Sequence, residues 1–274
     1  MDEDDLLAAY ARRTGCGDLC AGTAPTLATL QRLITHHAAA IPFENIEVLC
    51  GRVPKLDLPA LRRKLLDSRR GGYCFEQNTL FMAVLRALGF AVLGLEGRVR
   101  AGVPADVETG RTHMALAVEA EGRTWLVDVG FGALAPQRPL PLEAGGHEEH
   151  RLVEAGDGEL LLQARTFEGW TDAYRLMPGR PRPIDYELGN WWVATHPSAL
   201  MGRCLLVARS LDDGGRMTLF NRRLTIRQPL DGAPIERELR TDAEIADQLT
   251  GGFGLRLSAE DLSVVLAKLS LFAA

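Results

Sequence analysis

The spacing of apolar residues changes character near residue 90, and this limits the fold to a helical part followed by a sheet part. Before that point the periods are helical. Leu6, Leu7 and Tyr10 begin one stripe, and Leu27, Leu30, Leu33, Ile34 and His37 form a second behind Thr26, a cap residue. Leu58, Leu61, Leu65 and Leu66 make a third, and Phe81, Val84, Leu85 and Leu88 a fourth, with Gly89 as its stop. From about 91 to 195 the chain reads as extended. Val92, Leu95 and Val99, then short runs such as 160–164 and 191–194, are separated by Gly, Pro and Asp clusters. That composition suits an antiparallel sheet or a partly closed barrel. After about 196 the pattern mixes. The runs 205–208 and 217–220 read as strands around a 212–215 turn, and Thr241–Glu244 and Ser258–Asp261 as capping boxes of two short helices. The expectation is an α+β fold: a helical bundle over 1–90, an antiparallel β-barrel over 91–195, and an α/β unit over 196–274.

The stretch Arg70-Gly71-Gly72-Tyr73-Cys74-Phe75-Glu76-Gln77-Asn78 opens the fourth helix. It places Cys74 in a first turn, where free amide N–H groups and the positive dipole end favour thiolate over thiol. The glycine pair permits close backbone approach and dihedrals that other residues resist. Such a cysteine is either an activated nucleophile or a small apolar residue filling a helix–helix gap. Two further residues decide between them. His113 and Asp128 lie on two runs that read as strands, joined by the tight reversal Ala120-Glu121-Gly122-Arg123. With an even loop, a pairing sum of 241 sets His113 opposite Asp128. A sum of 243 sets Asp128 opposite Ala115, diagonal to His113. Either register puts imidazole and carboxylate on one face; an odd loop would separate them. Asp is depleted in strands, and one between Val127 and Val129 needs a partner. Together the three compose a Cys–His–Asp set, in which the acid orients the imidazole and the imidazole deprotonates the thiol.

With 31 basic and 36 acidic residues in 274, the net charge is −5 and no long basic run exists, which argues against a nucleic-acid surface. No apolar run approaches a membrane span. The acidic Met1-Asp2-Glu3-Asp4-Asp5 is the opposite of a signal or transit peptide, so a cytoplasmic protein is expected. Five cysteines (Cys16, Cys20, Cys50, Cys74, Cys204) form no disulfide framework. Cys16 and Cys20 are one residue too far apart for Cys-x-x-Cys, and His36-His37 point to different sides of a helix. No four-ligand cluster is visible, and no metal is expected.

The nonapeptide around Cys74, the later His113, and Val127-Asp128-Val129-Gly130-Phe131-Gly132 resemble the signature of the arylamine N-acetyltransferases. Pro42-Phe43-Glu44-Asn45-Ile46 and Thr195-His196-Pro197-Ser198 are similar to further landmarks, and the likeness runs from 10–15 to Phe253-Gly254. The resemblance implies a cysteine-protease-like Cys74–His113–Asp128 core and a third domain acting as a lid. It implies two-step transfer from acetyl-CoA through an acetyl-cysteine to an aromatic amine or hydrazine. It also implies an ion-pair cluster of Arg13, Glu44 and Arg70, and an acceptor pocket lined by Phe43, Val99 and Phe131. Contacts to CoA are expected from Gly130, Gly132, Thr195 and Ser198, with Arg203 near a phosphate. The family is predominantly monomeric or weakly associating. A Phe often found shortly after Thr-His-Pro-Ser is absent; Ala199-Leu200-Met201 follow instead. Two other enzyme readings share these motifs: an amide synthase releasing a polyketide chain, and a Cys–His–Asp hydrolase.

Overall fold

The computed structural model describes residues 2–19, 22–211, 213–228 and 232–272, so Cys20 and Asp212 lie outside the described residues. The four helical stripes fold as helices. α1 (Glu3–Thr14) carries Glu3, Asp4 and Asp5 in its first turn and Arg12 and Arg13 in its last, matching its dipole. α2 (Leu27–Ala40) starts at Thr26, whose side chain accepts the Thr29 N–H. The short β1 (Phe43–Glu44) and α3 (Ile46–Leu49) follow. α4 (Leu58–Leu61) then continues as a wider π-type coil over Arg62–Asp67. α5 (Cys74–Ala87) buries Phe75, Leu80, Phe81, Val84 and Leu85.

The period change at residue 90 is the entry into β2 (Ala91–Val99). It is followed by β3 (Arg111–Ala120), β4 (Arg123–Val127), β5 (Leu140–Pro141), β6 (Gly145–Gly146), β7 (His150–Glu154), β8 (Leu160–Thr166) and β9 (Gly169–Leu176). These strands make one antiparallel sheet in the order β5-β4-β3-β2-β9-β8-β7-β6. Its two edges, β5 and β6, lie against each other, so the sheet is nearly a closed barrel. Leu126, Leu140, Leu152, Leu162 and Tyr174 fill its interior. Its outer face, with Val92, Met114, Leu116 and Val118, shares one core with α1, α2 and α5.

The run 191–194, expected to be extended, belongs instead to α6 (Pro183–Thr195). Pro183 presets its first turn, and Asp185 accepts the Arg182 N–H at 2.6 Å. Four consecutive apolar residues are too short to display a period, which is why this turn reads equally as strand or helix. The strands β10 (Leu206–Ser210), β11 (Arg216–Phe220), β12 (Arg223–Arg227) and β13 (Ile235–Glu238) form a second antiparallel sheet. β1 is one of its two edge strands, and Phe43 there pairs with Ala208. α7 (Asp242–Asp247) and α8 (Ala259–Phe272) cover it, and Ile46 and Leu49 of α3 join that core. The expected capping residues are in place: the side chain of Thr241 accepts the Glu244 N–H, and Ser258 Oγ accepts the Asp261 N–H at 3.0 Å.

Candidate active site

The chain reaches Cys74 through a slot that only glycine fits. A Cβ on Gly71 would lie 2.1 Å from the Pro42 carbonyl oxygen, and one on Gly72 2.8 Å from the Glu76 carboxylate. Gly72 N–H bonds Pro42 O at 3.2 Å, and Gly72 O accepts Glu44 N–H at 3.1 Å, so the two segments run side by side. Neither glycine has positive φ. Space, not an unusual dihedral, therefore requires the pair, which corrects half of the sequence expectation. Glu76 accepts the Tyr73 N–H at 3.2 Å and holds Lys64 Nζ at 2.6 Å, fixing the first turn of α5. A buried chain supports it from behind. Tyr10 OH bonds His37 Nδ1 at 3.1 Å, His37 Nε2 bonds Gln77 Oε1 at 3.0 Å, and Gln77 donates to Gly72 O at 2.7 Å. Burial drives the His37 pKa down to about 3, so this imidazole is neutral.

Glu121 and Gly122 make a two-residue turn with φ of 52° and 75°, a geometry suited to the twist of a hairpin. β3 and β4 pair with Leu116 opposite Val127, the register that sums to 243. Continued by one residue, it sets Asp128 opposite Ala115 and diagonal to His113. His113 Nε2 then lies 2.7 Å from Asp128 Oδ2, both side chains essentially buried. The other oxygen, Oδ1, accepts Asn78 Nδ2 at 2.9 Å and Gly130 N–H at 2.8 Å. Burial alone would raise the Asp128 pKa, but the His113 charge and these donors hold it below its ordinary value. Burial likewise pulls on His113, yet Asp128, and then Cys74 through a hydrogen bond and charge, lift its pKa to about 9. At neutral pH the ring is an imidazolium. With Nε2 committed to Asp128, Nδ1 is the nitrogen left for Cys74. The Cys74 thiol also approaches Thr112 O at 3.8 Å. Tyr174 and Phe131 pack on the ring with centroids 4.4 and 4.7 Å away, and Gly97 leaves room for it.

The N-acetyltransferase family model matches residues 26–262. An arylamine N-acetyltransferase / N-hydroxyarylamine O-acetyltransferase of Salmonella typhimurium is 42% identical over 221 residues, covering 79% of this chain and 77% of that protein. The Mycolicibacterium smegmatis arylamine N-acetyltransferase is 40% identical over 250 residues, 85% of this chain and 86% of its own. The solved structure of the Mycobacterium marinum enzyme in complex with CoA superposes with a TM-score of 0.89 at 36% identity, covering 97% of this chain and 99% of that one. The chain belongs to the arylamine N-acetyltransferase family. It is an acyltransferase.

In this arylamine N-acetyltransferase the ion-pair cluster differs from the expected one. Glu44 and Arg70 are paired at 2.8 Å, but Arg13 is not with them. Its Nε bonds Leu65 O at 2.9 Å, and burial together with Arg69, Arg209 and Arg256 lowers its pKa to about 10. The third member is Asp261 at the start of α8, 3.0 Å from Arg70 Nη1 and 2.8 Å from Arg52. Arg13 fails because α1 turns its end towards the Arg62–Asp67 coil, while α8 arrives beside Arg70. Of the expected acceptor residues, Phe131 touches His113, and Val99 pairs across the sheet with Tyr174. Phe43 packs over Gly132, where a Cβ would lie 3.5 Å from its ring. Gly130 presses on the nucleophile itself, since a Cβ there would lie 2.7 Å from Cys74 Cα; Gly132 is needed for its φ of 62°. Thr195 bonds back to Trp191 O at 2.7 Å, and Ser198 bonds His196 at 2.8 Å. Arg203 ends an exposed turn. Among the described residues, no hydrogen bond, ion pair or ring contact joins Thr195, Ser198 or Arg203 to Cys74, His113 or Asp128.

Asn78 was passed over in the sequence. It sits one helical turn beyond Cys74, donates to Met114 O at 2.7 Å and to Asp128, and accepts Val129 N–H at 3.2 Å. A buried amide inside a helix must find partners elsewhere, and that signal was legible. Tyr174 and Asp261 gave none: each reaches the site from a distant element. No helix among the described residues is long and apolar enough to cross a membrane.

Proposed function

We propose that the enzyme transfers acetyl groups from acetyl-CoA to arylamines, arylhydrazines or N-hydroxyarylamines in two steps, through an acetyl group carried on Cys74. The observation that carries this reading is the continuous path from Asp128 through an imidazolium at His113 to a sulfur at a helix start. In the first step the sulfur attacks the thioester carbonyl. The tetrahedral oxyanion meets the Cys74 amide, which as the first residue of α5 has no helical carbonyl to bond. Collapse breaks the bond to CoA, whose sulfur leaves and takes the proton from His113. In the second step the amine nitrogen attacks the acyl-cysteine, His113 removes its proton, and the Cys74 sulfur departs. Asp128 keeps the ring in one orientation throughout.

The CoA-bound relative supports a CoA thioester as donor for this chain. Phe131, which packs on His113, would offer a flat aromatic amine an apolar face, with Val99 and Phe43 as the further acceptor residues of this reading; such an amine has little to hydrogen-bond beyond its nitrogen. The test is intact-protein mass spectrometry after mixing with acetyl-CoA and no acceptor. One acetyl group should map to Cys74, disappear on adding an aromatic amine or hydrazine, and be absent in Cys74→Ser. Steady turnover with no acetylated enzyme at any donor concentration, or acetylation mapping to another residue, rejects the two-step route.

A further inference from the structure

Far from Cys74 in the sequence, one tight turn gathers three donor groups: a ring nitrogen each from His147 and His150 and a carboxylate oxygen of Glu149, all within 4.8 Å of one another. The turn joins β6 to β7 and closes with His147 N–H on His150 O at 2.8 Å. Gly146 leads into it, since a Cβ there would lie 2.3 Å from the His150 carbonyl oxygen. His150 is 3% exposed. Its Nε2–H donates to Leu134 O at 3.2 Å, which leaves a lone pair on Nδ1, and that nitrogen is buried with no hydrogen-bond partner. His147 Nε2 is buried and unpartnered in the same way, while its Nδ1 faces the Glu149 N–H at 3.2 Å. Buried polar nitrogens are costly when nothing meets them. A histidine anchored through one nitrogen to a backbone carbonyl, with the other free, is the posture of a metal ligand.

We propose that His147, Glu149 and His150 bind a divalent first-row transition cation of the zinc type, with water completing its coordination. Two imidazoles and one carboxylate suit such an ion. Tetrahedral bonds of about 2.0–2.2 Å set ligands about 3.3 Å apart. The three donors therefore close by up to about 1.5 Å, within reach of side-chain rotation. His147 gives up its contact with the Glu149 N–H as it ligates, because its proton must move to Nδ1. Glu149 and His150 also line a cavity of about 80 Å³, enough for water ligands. Arg138 and Arg216 are the cations that bear on the two rings, and Glu149 offsets one of those charges. The site is consequently weaker than a closed four-ligand one. Through His150 and Leu134 an ion there braces the Gly132–Leu134 turn that follows Phe131.

The test uses Zn²⁺ on the Cys74→Ser chain, so that the active-site thiol cannot hold the ion and the result is independent of the acetyl-transfer reading. After loading and dialysis, elemental analysis should find one zinc per chain, and absorption at the zinc edge should report imidazole and oxygen ligands. His147→Ala and Glu149→Gln should each weaken binding roughly tenfold or more. No retained zinc, sulfur ligation at the zinc edge, or affinity within twofold of the parent in both variants overturns the site.

Discussion

Replacing Asp128 with Asn keeps the shape of the site and removes one charge. The Asn oxygen can still accept from Asn78 and Gly130, as Asp128 Oδ1 does at 2.9 and 2.8 Å. Its NH₂, however, must face His113 Nε2 across the former 2.7 Å contact. That contact needs an acceptor on the ring, so the proton moves to Nδ1, the nitrogen facing Cys74, and the ring can no longer take the thiol proton. The magnitude follows from the lifted His113 pKa, about 9 against 6.5. That difference is worth about 3 kcal/mol of stabilisation of the imidazolium, and without Asp128 burial takes over and pulls the value below 6.5. A loss of about 3 kcal/mol corresponds to a rate roughly a hundredfold lower. The assay is single-turnover acetylation of Cys74 at pH 7 by quenched mass spectrometry, with a ring titration of His113 by NMR alongside. Stability should move with it. Because the folded pKa is raised, the pair stabilises fully below pH 6.5 and loses that contribution as pH rises through about 9. The parent's advantage over Asp128→Asn should therefore shrink in alkali. A variant that acetylates within threefold of the parent, or a His113 titration that does not move, refutes the reasoning.

Gly130→Ala should lower the acetylation rate at least about tenfold, because its Cβ would lie 2.7 Å from Cys74 Cα and backbone cannot yield cheaply; parental rates would show the loop to be free of the nucleophile. Asp261→Leu should cost about 1–2 kcal/mol, because Arg70 loses one of its two carboxylates and keeps Glu44, a fall in Tm of roughly 2–6 °C, and an unchanged melt would deny the Asp261 contacts any role. His37 has a folded pKa of about 3 against 6.5, so the unfolded chain takes up a proton that the native one refuses as pH falls below 6.5. By pH 5 that costs about 2 kcal/mol. His150, also lowered to about 3 by burial, adds a second such loss. Urea titrations of His37→Asn should show the decline between pH 6.5 and 5 smaller than the parent's by about 2 kcal/mol, and an unaltered slope would mean that His37 is not the group titrating.

The parts legible in the sequence were those fixed locally. Apolar spacing placed the helices, the onset of β2 and the hairpin, and parity alone put His113 and Asp128 on one face because the turn holds two residues. Gly71 and Gly72 signalled close approach, though only the fold reveals that Pro42 is what they approach. What remained hidden was long-range. Asp261 lies 191 residues from Arg70, and no periodicity links an N-terminal turn of α8 to a loop before α5. Arg13 was the nearer candidate in sequence and the wrong one in space. The run 191–194 failed for a different reason: its apolar residues fit either period, and Pro183, some eight residues upstream, decides.

The catalytic set depends on more of the chain than supplies it. Cys74 is positioned by the loop 70–73, and that loop is held against 42–45 by the Gly72 pairing and the Arg70–Glu44 contact. The same 42–45 segment is the edge strand of the C-terminal sheet, and Asn45 bonds Met201 O, Cys204 O and Leu206 N–H at 2.6–2.9 Å. Asp261 closes the circuit from α8 onto Arg70. Removing any one of these polar ties leaves a buried or half-buried charge or amide with fewer partners, so the arrangement resists partial loosening. A sulfur that must stay within bonding reach of one ring nitrogen gains from this. The helical part, α8 and the C-terminal sheet meet at a junction that sits two to four residues before the nucleophile.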